Sequence, residues 1–556
     1  GTQNVAIGAY ALDAFTDGIR NVAIGYQALS TATGADYNQA IGYRALFNAN
    51  TGGSNVAVGH EAGLNITSGG NNIAIGYHAG YNNQTGVYNV HIGMQAGYGA
   101  AGNSANTNTF VGYKTGYDVT SGYNNVAIGG SALENVTSGY DNVVIGNGAG
   151  DAITTTNFVT LIGRSAGGAI NSTDANGTVA IGYSAGLTLT DGQYNTLVGY
   201  QAGDGLTTGN DNTIIGYIAG GSTDFNAGSQ NTFLGSSAGN YAQGSHSNVF
   251  IGYRAAGTNK QGGYNVVIGD QAGYQPAGNQ YSGSHNVFMG YAAGYNTGAD
   301  KNVFIGSGAG QYTTGSQNTF VGQAAGLGGQ TSAPFSSGQY NTAMGYLALR
   351  NFTTGGSNTA IGRKALEDVS SGGYNVAVGN EAGLQLTTGG ENVFLGISAG
   401  GNTTDVDKAV LIGGGAGTGV LTSAADGIVL IGYTAGANIT SGNGNVAIGY
   451  EAMKVHTTGG NNIAIGYGAM NDTDAGSTSL GSESNVFIGA DSGGGTWANA
   501  ASRYNIGLGV ATLSDALNGA DGNISVGYQA GRYVTTGDDN VLVGRLAGDA
   551  ITTKSG

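Results

Sequence analysis

The chain has 556 residues, of which 110 are glycine and 2 are proline; 40% are apolar and 9% charged. Glycine at that level without a Gly-X-Y period excludes collagen, and the apolar fraction excludes simple disorder. A formal charge of −16 with 16 Lys and Arg argues against nucleic acid, and the absence of cysteine removes disulfides and thiolate metal sites. No run of 18 apolar residues suggests membrane insertion, and the first residue is not Met, so the sequence reads as a processed or excerpted soluble product.

Along the chain an N-x-x-[ILVM]-G anchor, or a near variant, occurs 31 times, from Asn4–Gly8 to Asn540–Gly544. Of the 30 intervals between anchor glycines, 19 are 17 residues long and the rest run from 16 to 23. A short fixed period is the signature of stacked repeats. Each period is numbered here from its Asn. Position 4 is aliphatic throughout, position 2 is mostly Val, Thr or Ile, position 5 is Gly and position 8 is Ala in 28 copies. A Thr-Ser-Gly or Thr-Thr-Gly turn commonly follows, as at Thr67-Ser68-Gly69. Each period therefore predicts a short β-branched strand, a Gly corner, a short second strand and a Gly turn.

A 17-residue period that returns to the same column predicts one coil of an all-β parallel β-solenoid or β-roll, with about 31 coils rising ~4.8 Å each and a rod ~150 Å long. Residues 1–556 are expected to form a single continuous shaft. Asn at position 1, present in 27 copies, suits a stacked amide ladder or a turn Asn serving its own backbone. Position 3 is apolar in 28 of 31 copies and holds eight of the 14 Phe: Phe110, Phe233, Phe250, Phe288, Phe304, Phe320, Phe394 and Phe487. With positions 2 and 4 facing the coil interior, this column would face outward, so lateral packing of several chains, three about a common axis, is expected to bury it.

Departures from the period come next in chain order. The anchors Gly112 to Gly216 recur at Gly362 to Gly466 with an offset of 250 residues, irregular copies included, which points to duplication. The longest intervals contain 326–340, with Pro334 and Phe335, and the stretches 471–484 and 491–504, which hold the only Trp, Trp497, and Tyr504. Such insertions usually map to loops, so these four residues are the candidates for a receptor or glycan contact. Tyr follows the corner Gly in 14 copies, as at Tyr26, Tyr43 and Tyr200; it suits sugar stacking or the edge of a packed roll.

Enzymatic chemistry is not expected, because a repeat spreads the same small residues everywhere while a catalytic site needs unlike residues converging. His60, His78, His91, His246, His285 and His456 occupy different repeat positions without H-x-H or H-E-x-x-H pairing and read as isolated, so no metal site and no cofactor are assigned. Calcium is not indicated either, since the G-G-x-G-x-D pattern is lacking.

The units NVAIGYQAL, NTAMGYLALRNFTTGGSN and NVAIGYEAMKVHTTGGN resemble the Gly-rich repeats of phage tail fibres and related bacterial surface proteins. NVAIG is also similar to the head repeats of trimeric autotransporter adhesins, whose period is shorter. The resemblance implies a left-handed, trimeric roll on a virion or cell surface. The function expected is that of an extracellular structural fibre, the shaft of a tail fibre or adhesive appendage. The alternatives are an end-to-end filament and an adhesin binding glycans or a host receptor through its insertion loops. Both termini, Gly1-Thr2-Gln3 and Lys554-Ser555-Gly556, fall at the same phase of the coil, so protein is expected to cover both ends.

Overall fold

The computed structural model describes residues 1–221, 226–258, 262–276, 283–329, 335–473, 481–497 and 500–552. Among them lie 31 strands of three residues each, β1 (Val5–Ile7) to β31 (Val541–Val543), and two 3-10 turns, Thr173–Ala175 and Ser423–Ala425. The architecture is an all-β solenoid. The chain divides into two compact units, Gly1–Ser284 and His285–Gly556. The first carries β1 to β16 (Val266–Ile268) and the second β17 (Val287–Met289) to β31. Within each, successive strands pair parallel and in register, so that like repeat positions stack: Ala6 on Ala23 on Ala40, or Phe304 on Phe320.

One strand forms per coil among the described residues, and the expected second strand is replaced by alternating turns. Positions 7 and 9 lie at positive φ, for example Gln27 at 54° and Leu29 at 50°. Reversing the backbone at every second residue sends its N–H groups alternately up and down the stack. Gln27 donates to Ala9 O of the coil before at 3.0 Å, and Leu29 to Ala45 O of the coil after at 3.0 Å. Coil-to-coil bonding thus continues where no strand runs, which satisfies the backbone without a second sheet.

The corner Gly is dictated by geometry. Gly42 has φ +139°, and a Cβ there would lie 2.7 Å from the carbonyl carbon of Gly59, the next corner in the stack. No side chain fits a column whose members are one coil rise apart.

The Asn column is a ladder. Asn55 donates from its backbone N–H and its Nδ2 to Asn38 Oδ1, at 2.9 and 3.1 Å, and its Nδ2 also reaches Gly69 O in its own coil at 3.0 Å. One amide therefore ties a coil to its neighbour and closes its own turn. At Val159 and Ala409 the backbone N–H still donates to the preceding Asn, at 3.0 and 2.8 Å, but neither side chain can pass the ladder on.

The orientation of the strand is the reverse of that expected. Position 3 points into the coil and positions 2 and 4 point out: Ala23, Ala40, Phe233 and Phe304 are fully buried, whereas Ile41 is 39% and Val378 38% exposed. All eight Phe assigned to an inter-chain seam lie buried within their own chain. The physical reason is size exchange across a narrow interior. Opposite Phe at position 3, position 9 is Gly in seven of eight coils; opposite Ala it is often Leu or Met, as in Ala23/Leu29, Ala360/Leu366 and Ala447/Met453. A Cβ on Gly294 would lie 2.8 Å from Phe288, and one on Gly400 2.7 Å from Phe394. In these coils the interior is filled either from the strand or from the turn, whereas Ala57/Gly63, Ala74/Gly80, Ala180/Gly186 and Ala377/Gly383 are small at both places. Like side chains then stack, with Phe304 and Phe320 5.0 Å apart between ring centroids.

The offset of 250 is reproduced in the fold. β7 (Thr109–Val111) to β13 (Thr213–Ile215) match β21 (Thr359–Ile361) to β27 (Ile463–Ile465) strand for strand, and the two 3-10 turns occupy equivalent places.

Candidate functional surface and site

Outward positions 2 and 4 make two rows of aliphatic and Thr side chains, broken by Gln39, running along each unit. No charged residue occupies either column, although the chain carries −16 overall. Beside them runs the ring column at position 6: Tyr26 and Tyr43 stack at 5.4 Å, Tyr183 and Tyr200 at 5.1 Å, Tyr433 and Tyr450 at 5.4 Å. Their faces cover one another and their edges meet solvent, an arrangement of roll edges that leaves little ring face for a sugar. The two rows together make a long uncharged stripe, with Ile41 39% and Val378 38% exposed.

The insertion residues are placed differently from their expected common role. Trp497 is fully buried, edge-on to Phe487 at 5.8 Å, so its indole fills the core of its coil and offers nothing to a ligand. Phe335 is half-buried and stacks on Tyr312 at 6.1 Å. Tyr504 is 61% exposed, but it immediately precedes the ladder Asn, a place shared with exposed Tyr194, Tyr340 and Tyr374. Pro334 lies outside the described residues.

That shared column produces a groove in the second unit. A depression of about 570 Å³ between Ser337 and Asp407 is lined by Tyr340, Tyr374, Thr354, Thr388 and Glu391 and by backbone at Gly356, Gly373 and Gly390. Two exposed rings, hydroxyls and the carboxylates of Glu391 and Asp407 along a backbone track are groups of the kind that recognise saccharides.

A second cluster was not visible as a motif. His60 at position 6 and His78 at position 7 of the next coil lie 18 residues apart, and stacking brings them together: one ligand atom each of His60, Glu61 and His78 lies within 4.8 Å of the others. His78 Nε2 is 2.9 Å from Glu61 Oε2, and Arg44 Nη1 donates to Glu61 Oε1 at 2.8 Å. Burial holds the His78 imidazole below its ordinary pKa, against the opposing pull of Glu61. Reading the sequence as a two-dimensional grid with a 17-residue row would have paired these histidines; a linear search for H-x-H could not. The other histidines differ in kind. His91 replaces an apolar residue at position 3 and stacks on Phe110 at 5.4 Å, while His456 is buried, with Nε2 2.8 Å from Gly459 O.

Neither a known protein family nor a characterised protein matches the chain.

Proposed function

We propose that this chain is a structural fibre protein, the shaft of an extracellular appendage such as a phage tail fibre, whose work is to hold attached parts apart. The observation that carries the reading is the in-register stacking of one short unit through each of the two compact solenoid units, with a block of coils repeated at 250 residues. Growth by copying coils extends a stack and adds no reaction centre.

Chains associate side by side, as a trimer, through the outward face of positions 2 and 4. A second copy fits best because its coils repeat at the same ~4.8 Å rise, so rows of Val, Ile and Thr interlock along their whole length, and neither surface brings charge to desolvate. Mass measurement at micromolar concentration and electron microscopy test both parts. Fibres of trimeric mass are expected; a clean monomer mass overturns lateral association, and globular particles overturn the shaft.

The groove lined by Tyr340 and Tyr374 supports a second reading, an adhesin that binds glycans. Glycan-array binding abolished by Tyr374→Ala with an unchanged melting temperature supports it; absence of binding by the parent chain refutes it. Trp497→Ala does not serve here, since it empties a core position.

A further inference from the structure

We propose that His60, Glu61 and His78 form a binding site for one transition-metal dication of the Zn²⁺ type. Three donor atoms within 4.8 Å of one another lie near the span of a first coordination shell. Metal–ligand bonds of about 2.0–2.2 Å place neighbouring donors of a tetrahedral shell roughly 3.3–3.6 Å apart, so modest side-chain rotations close them on an ion. His78 Nε2 and Glu61 Oε2, 2.9 Å apart in a hydrogen bond, would exchange that bond for a shared ion by separating roughly half an ångström.

The surroundings hold the ligands in place. His60 is stacked between Tyr43 and Tyr77, with centroids 4.7 and 5.2 Å away, and His78 lies 3.8 Å from the Tyr77 ring and 4.7 Å from Tyr81. Arg44 takes the other carboxylate oxygen of Glu61 and so orients the one left for the metal, as an outer partner does in metal sites. Its positive charge opposes a cation at the same time.

Donor chemistry selects the ion. Two imidazole nitrogens and one carboxylate oxygen favour Zn²⁺, Co²⁺, Ni²⁺ or Cu²⁺ over the oxygen-seeking Ca²⁺ and Mg²⁺. His60 is exposed, so the remaining positions of the shell open to water. Since His60 and Glu61 belong to the coil of Val56–Val58 and His78 to that of Ile73–Ile75, a bound ion fastens two successive coils together.

Isothermal titration of the full chain with Zn²⁺, and in parallel with Ca²⁺, tests the site. Saturable binding of one Zn²⁺ per chain is expected, weakened at least tenfold in His60→Gln and in His78→Gln, with no heat from Ca²⁺. The visible spectrum of the Co²⁺ form reports nitrogen ligation independently, and circular dichroism of each variant confirms the fold. The proposal is overturned if Zn²⁺ does not bind, if the folded histidine variants bind it as well as the parent chain, or if Ca²⁺ binds equally.

Discussion

Exchange of volume between positions 3 and 9 can be tested at Phe394 and Gly400. Phe394 is fully buried; a Cβ on Gly400 would lie 2.7 Å from its Cδ1 and Cε1 and 3.0 Å from Leu411 Cδ1. Phe394→Ala alone empties the interior of one coil and is expected to cost about 3–5 kcal/mol. Gly400→Leu alone drives a side chain into the ring at φ +61°, costing ~1–3 kcal/mol for overpacking and ~1–2 kcal/mol for the left-handed backbone. In the double variant the Leu enters the space the ring has left, as in the natural pair Ala360/Leu366, where Leu366 is buried at φ 50°. It fills that space about two carbon atoms short, at ~0.8 kcal/mol each, and retains the backbone strain. The double variant should therefore lose only about 3 kcal/mol, against ~5–10 for the sum of the single changes. Because a solenoid need not unfold in one step, hydrogen exchange of amides in the strand Val393–Leu395 and its neighbours is the fitting assay, with melting temperature as a coarse check. If the losses simply add, positions 3 and 9 do not share one space and the account of the interior is wrong.

The remaining expectations concern ladder, core and surface. Asn55→Ala leaves the Asn72 N–H and Gly69 O without their side-chain partner, and at ~1–3 kcal/mol for each orphaned group it should destabilise by roughly 3 kcal/mol; wild-type exchange rates at those amides would refute the ladder. Burial lowers the His91 imidazole to about 4, so as pH falls from its ordinary 6.5 towards 4 the unfolded chain takes up a proton that the folded chain refuses. Stability should decline across that window, by at most about 3 kcal/mol, and His91→Phe should remove that part of the slope in pH-dependent melts; parallel slopes would contradict it. Ile361→Asp, on the outward face, should lower oligomer mass with little change in melting temperature, whereas Phe304→Asp should unfold its own coil by burying an unpaired charge. An Ile361→Asp trimer would remove the outward rows from the interface.

The period made the solenoid legible because stacking is a one-dimensional problem. Once position 1 is Asn and position 5 is Gly in column after column, parallel in-register pairing is the arrangement that lets each Asn reach the next and each Gly sit under another. Which face of the strand turned inward was not legible from constancy. Val and Ile at positions 2 and 4 are uniform because each is half-covered by its copies above and below, and position 3 varies from Ala to Phe because the interior accepts any size that position 9 complements. The correlation that decides the matter, Phe with Gly and Ala with Leu or Met six residues later, is present in the sequence but belongs to pairs of columns.

The same distinction explains the candidate sites. Trp497 drew attention as a unique residue in an insertion, yet a longer coil has a larger interior to fill, and a large ring is what fills it. His60 and His78 read as isolated, because each is the single His of its own column and they become a pair only through the coil rise. In a stacked repeat, chemistry arises where two unlike substitutions fall in adjacent rows and neighbouring columns, so irregularity of residue type marks a site better than irregularity of length. By that criterion the coils of Val56–Val58 and Ile73–Ile75, regular in length but not in their outward side chains, are where the proposed metal site falls.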